Sequence, residues 1–148
     1  MYAYAIAQAF TSAFQADPAF AGYCLQNGQT GDLKTRTPGA VVFECKIQPL
    51  TAGVTSFTFA LTVTVESTDD RPVTSDPASA PDPAIAHAAL VDLVRAKLLG
   101  SGRTALLAAL NAPAVFDFRG WSPAESDQAV QQGHLKTPLM LNGIALVF

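Results

Sequence analysis

Residues 54–66 read VTSFTFALTVTVE, and their alternation decides the fold. Phe57, Phe59, Leu61, Val63 and Val65 fall on one side; Thr58, Ala60, Thr62, Thr64 and Glu66 fall on the other. Side chains alternate across a strand with a period of two, so this is a strand with one dry face and one wetter face. Just upstream, Val41, Phe43, Cys45 and Ile47 alternate with Val42, Glu44, Lys46 and Gln48. Pro49 to Gly53 supplies a turn between the two runs. Together they predict an antiparallel hairpin with one face covered.

The flanking segments supply the cover. Tyr2, Ile6, Phe10 and Phe14 recur every fourth residue, which predicts a helix over 2–15. Asp17-Pro18 stops it and predicts a second short helix carrying Phe20, Tyr23 and Leu25, ending near Asn27-Gly28. Residues 26–39 are polar and Gly-rich, an expected loop, as are the Pro/Asp/Ser-rich residues 67–82, expected to be mobile. Asp82-Pro83 opens a helix to about Leu99 with His87, Leu90, Val91, Val94 and Leu98 on one stripe. Gly100 stops it, and Thr104 is placed to cap a further short helix. Val115–Trp121 reads as a third strand, 122–133 as a loop, and 134–148 as a long last strand whose Pro138 favours an edge start. The order is α-β-β-α-β-β with two short extra helices. It predicts an α+β fold in one domain, 1–148: an antiparallel sheet of about four strands with helices packed on one face.

Composition narrows the function classes. The chain has 148 residues, 49% hydrophobic and only 14% charged, against a usual charged share of about 25%. Such a chain is not disordered. A net charge of −3 argues against a dedicated nucleic-acid binder. Met1 to Phe14 carries no Lys or Arg, unlike a signal peptide, and no long uninterrupted apolar run occurs. A soluble product without membrane contact, made in the cytoplasm, is the expectation.

No catalytic residue is expected. The sequence lacks the nucleophile-elbow, zincin, phosphate-loop and dinucleotide-binding motifs. Cys24 and Cys45 have no ligand spacing and read as small apolar residues, with a disulfide between them left open. His87 sits on an apolar stripe and reads as a partly buried histidine satisfied by a nearby carbonyl; His134 reads as a surface residue. Gly100-Ser101-Gly102 before Arg103 reads as a helix end rather than an anion site. Asp69, Asp70, Asp76 and Asp82 are scattered among prolines, unlike calcium ligands. No metal or cofactor is therefore expected. Trp121 either covers the sheet end or anchors a partner. After Asn142-Gly143 both faces of the last strand are apolar, so Ile144 to Phe148 should be covered on two sides or by a partner.

The layout resembles the tail terminator, or tail-completion, proteins of long-tailed bacteriophages of the lambdoid and gene-transfer-agent type. The resembling pieces are the opening helix into Asp17-Pro18-Ala19-Phe20, the strand pair ending in Glu66–Asp70, the helix HAALVDLVRAKLL (His87–Leu99), the strand FDFRGW (Phe116–Trp121) and the closing strand Leu135–Phe148. The resemblance implies a virion protein without catalytic residues. It would form a ring, commonly of six copies, on the last ring of the tail tube, ending tube growth and meeting the neck proteins. Its partners would be itself, the tail-tube protein and a neck or head-completion protein, with DNA passing unbound through the lumen. Interface residues would be Trp121, Arg119, Asp69, Asp70, Ile144 and Phe148. Two other classes remain: a small-molecule enzyme or binder on a cone of the nuclear-transport-factor type, using the aromatic face of Phe57, Phe59, Phe116 and Phe118, and a head-side neck adaptor or stopper.

The facing of the central strand is directly testable. Phe59→Ala should cost about 3–5 kcal/mol of stability by emptying a core site, whereas Thr62→Ala should leave the melting temperature nearly unchanged. Equal losses in thermal melts would contradict the assigned faces.

Overall fold

The alternating stretch forms a long strand in the computed structural model, which describes residues 2–28, 39–49, 55–68, 83–124, 129–131 and 134–147. In chain order the elements are α1 (Tyr2–Gln15), a 3₁₀ turn (Pro18–Phe20), β1 (Cys24–Asn27), β2 (Ala40–Pro49), β3 (Ser56–Thr68), α2 (Pro83–Leu99), α3 (Arg103–Asn111), β4 (Phe116–Ala124), β5 (Ala129–Gln131) and β6 (His134–Val147). The class is α+β. The main sheet runs β1-β2-β3-β6-β4, and the three-residue β5 pairs with β6 in line beyond β4. The β2–β3 hairpin is antiparallel, with Cys45 opposite Leu61 and Ile47 opposite Phe59.

Three details differ from the sequence-based expectation of four antiparallel strands. The sheet is mixed and longer, because Cys24–Asn27 forms an edge strand parallel to β2 instead of extending a helix. Asp17 Oδ1 accepts the Ala19 N–H at 3.0 Å, Pro18 follows, and the helical turn ends once Phe20 has turned into the core. Cys24 then donates to the Gly39 carbonyl and aligns with Ala40. The segments read as loops contain structure at their margins: Gln26 and Asn27 end β1, Ser67 and Thr68 end β3, β4 runs on to Ala124, and 129–131 form β5. The remainder of those loops, with their expected mobility, lies outside the described residues. Helix α3 starts at Arg103, with Gly102 at its N-cap, so Thr104 is not the cap.

Strand β6 lies inside the sheet, between β3 and β4, despite Pro138. Val147 donates its N–H to Thr55 across the β3 side. Odd-numbered residues of β6 therefore aim their N–H groups at β3 and even-numbered ones aim away, by the alternation of an antiparallel ladder. On that far side β4 stops opposite Met140 and β5 starts opposite Lys136. Pro138, which has no N–H to donate, falls between those two positions and has no described ladder partner on that side.

All three helices cover the same sheet face: α1 packs on β1 and β2, α2 on β3 and β6, and α3 on β4. Ile6, Phe10 and Phe14 of α1 are fully buried, as are Val94 and Leu98 of α2. Phe10 is the centre of an aromatic cluster, with ring centroids 6.1 Å from Phe59, 5.7 Å from Phe118 and 5.4 Å from Trp121. Beneath it, Gly143 has no side chain because a Cβ would collide with the Phe59 ring and the Gly120 carbonyl. Gly120 sits at a bulge in β4, at φ +110°, where the register against β6 slips by one residue.

Two substitutions test this geometry in opposite directions. Gly143→Ala should destabilise by about 1–3 kcal/mol, the usual cost of overpacking a filled core. Ala114, at φ 57° after α3, occupies the left-handed region, so Ala114→Gly should raise stability by about 1 kcal/mol. Chemical denaturation of the two variants measures both.

Candidate interaction surface

Among the described residues no helix packs on the other face of the sheet, although Val42 and Glu66 near one end of it are buried. Its rows follow from the ladder. Gln48, Thr58 and Ile144 lie side by side; Lys46, Ala60, Asn142 and Ser122 form the next row; Glu44, Thr62, Met140 and Ala124 the next; Val42, Thr64 and Pro138 the next; and Ala40, Glu66 and Lys136 the one after. The middle of this face, carried by β3 and β6, is uncharged. Its two large apolar residues, Met140 and Ile144, are 38% and 42% exposed. Charges frame it. Glu66 and Lys136 pair at 2.9 Å across one end, and Asp117 and Arg119 pair at 2.8 Å on β4. Threonines suit such a face because a hydroxyl is cheaper to desolvate than a charge once it finds a partner.

The candidate interface residues divide accordingly. Ile144 lies on this open face, opposite the Arg119-Gly120 bulge, and Arg119 is exposed beside it. Trp121 does not belong to the surface. It is 4% exposed, on the helix side, and its Nε1–H donates to the Leu98 carbonyl at 2.7 Å. Arg103 lies over its ring at 5.5 Å and donates to its backbone carbonyl. The bulge explains the placement: the extra residue turns Trp121 back to the core face. Asp69, Asp70 and Phe148 lie outside the described residues.

The chemistry-bearing side chains elsewhere are tied into the fold. His87 is buried and bonded at both ring nitrogens, to Ser67 Oγ at 3.0 Å and Thr137 Oγ1 at 2.9 Å. The core placement matches the sequence, while the partners are hydroxyls on two strands. His134 pairs with Thr68 at the start of β6. Gly100 and Gly102 both donate to the Ala96 carbonyl and close α2. Cys24 and Cys45 are not joined in a disulfide. Burial pushes the Cys45 thiol up to about 12. Among the described residues no group of His, Cys, Asp and Glu is placed to hold a metal ion, and no helix is long and apolar enough to cross a membrane.

The aromatic face is filled. Phe57, Phe59, Phe116 and Phe118 are at most 4% exposed, with Phe10 and Tyr2 packed against them. A different concavity, of about 520 Å³, opens between α1 and the end of α3. Tyr4, Ala5, Ala9 and Ala13 line one wall and Leu110 and Val115 the other. The signal for it in the sequence is the alanine spacing at 5, 9 and 13, one step round the helix from the Ile6-Phe10-Phe14 stripe. Compared with known proteins, the sequence matches no family model and no curated relative.

Thiol reactivity checks the burial assignments. At about pH 8 the folded chain should take up alkylating reagent at half-buried Cys24 only, because the thiolate is the nucleophile and Cys45 keeps its proton. Mass spectrometry should find the second adduct only after unfolding.

Proposed function

We propose that this chain is a structural ring-forming protein of the tail-terminator kind, acting by geometry rather than by catalysis. The observation that carries the reading is the two-faced sheet. One face is filled by helices, while the other carries no helix among the described residues, is uncharged in its middle, presents the half-exposed Met140 and Ile144 there, and has Arg119 at its edge. A lone domain gains nothing from leaving those apolar groups in water; because each is already more than half buried, a neighbouring copy laid against them gains about 1 kcal/mol for each one it covers. Contact between this face and a different face of the next copy is heterologous, and such contacts close into rings when the rotation permits. In the proposed assembly, six copies would sit on the last ring of a tail tube. One side would match the tube and the other would not, so growth stops there and the neck proteins dock. A net charge of −3 per chain suits a lumen through which DNA slides without sticking. The site of action would then be the neck end of the virion tail. A neck adaptor would use the same surface and differs only in its neighbours within the particle.

Light scattering on a sized sample, with negative-stain imaging, tests the reading. Rings should form at micromolar concentration, and Ile144→Asp should shift them to monomers without lowering the monomer's melting temperature. A strictly monomeric chain at every concentration, also missing from virions, overturns it.

A further inference from the structure

We propose that His87 is an acid-released latch: its neutral ring pins the first turns of α2 to the β3–β6 end of the sheet, and proton uptake frees that end of the helix. Helix α2 is held unevenly. Of residues 84–89, His87 alone is buried, at 7% exposure; Ala84, Ile85, Ala86, Ala88 and Ala89 are exposed. Continuous apolar burial starts only at Leu90 and Val91. Among the described side chains of this stretch, His87 is the one that reaches into the fold. That side chain reaches two strands at once, because Ser67 and Thr137 lie on adjacent strands, with Val65 opposite Thr137 and Ser67 opposite Leu135.

The ring's surroundings fit the neutral form. A neutral imidazole has one donor and one acceptor nitrogen, and a hydroxyl serves either. An imidazolium could still donate to both hydroxyl oxygens, but its charge would be buried with no counter-ion among the described residues. From β3, the nearest carboxylate is Glu66, which alternation places on the opposite sheet face, held there by Lys136 of β6 at 2.9 Å. On α2 itself, Asp92 and Arg95 are solvent-exposed and pair with each other at 3.8 Å, more than a turn further on. Among the described residues no carboxylate faces the ring. The N-terminal half of a helix also carries the positive end of its dipole, which disfavours a cation there.

The sign follows from linkage. Burial lowers the His87 pKa below its ordinary value of 6.5, so the unfolded or released form binds the proton more readily. The latch is at full strength above about pH 6.5 and weakens as the pH falls through that value toward the folded one.

Hydrogen exchange read by mass spectrometry, corrected for intrinsic rates, tests this on the intact chain. Between about pH 7.5 and pH 5, protection of residues 83–91 should fall several-fold while that of 103–111 holds. His87→Gln, which keeps a donor and an acceptor but cannot titrate, should abolish the pH dependence. The same acid loss in His87→Gln, or flat protection in the wild type, overturns the proposal. Should that variant fail to fold, the ring titration of His87 in the wild type decides by NMR, with His134→Gln assigning the signals: a midpoint below 6.5 accompanied by loss of the Ser67 and Thr137 contacts supports the latch, and a midpoint at or above 6.5 overturns it.

Discussion

The ring of Phe59 rests on Gly143, and most of the molecule is arranged so that it can. Strand β6 passes between β3 and β4 at a point where any Cβ would strike either that ring or the Gly120 carbonyl. Emptying that spot lets Phe59 lie flat in the core, where Phe10 and Phe118 reach it edge-on or tilted, the arrangement favoured by ring quadrupoles. The bulge at Gly120 is the other half of the constraint. It brings β4 close over Gly143 and turns Trp121 inward, where it contacts Phe10. The core is thus a stack built on two glycines, with α1 closing it from above.

The helices are positioned by polar joints at their ends, where apolar contact is thin. Lys97, near the end of α2, bonds Asp17 at 2.8 Å, which lowers the Asp17 carboxyl below its usual range through that hydrogen bond, and stands over the Phe14 ring. Trp121 holds the Leu98 carbonyl at the same end, and Asn111 clips the end of α3 to both backbone groups of Phe118. His87 does the same for the start of α2. Each bond adds only about 1 kcal/mol net, but orphaning a buried partner costs about 1–3 kcal/mol. Such joints therefore fix where helices sit more than how stable the chain is.

Legibility followed locality. The period-two runs of β2, β3 and β6 and the stripes of α1 and α2 are properties of neighbouring residues, so they could be read directly. Cys24–Asn27 could not: four residues without alternation become a strand only because β2 offers its edge, sixteen positions away in register. Pro138 pointed to a sheet edge, yet β6 runs between β3 and β4, with Pro138 past the last described pair of β4, a placement no local pattern encodes. The same holds for the surface. The doubly apolar end of β6 pointed to cover on two sides or by a partner; within the chain Ile144 is 42% exposed on the open face. Trp121, equally apolar and equally near a strand end, went to the core because the bulge rotated it.

By itself, then, the sequence determined which residues are strand or helix at the long elements, which faces are dry, that the class is α+β, and that charge is scarce. These follow from hydrophobic periodicity and turn chemistry, which act over a few residues. Only the tertiary structure decided the strand order, the parallel edge strand, the partners of His87, and the division of exposed apolar residues into one open sheet face and one helical groove. Those depend on pairings between distant segments, whose energy is set by fit across the core, and fit of that kind is settled in three dimensions rather than along the chain.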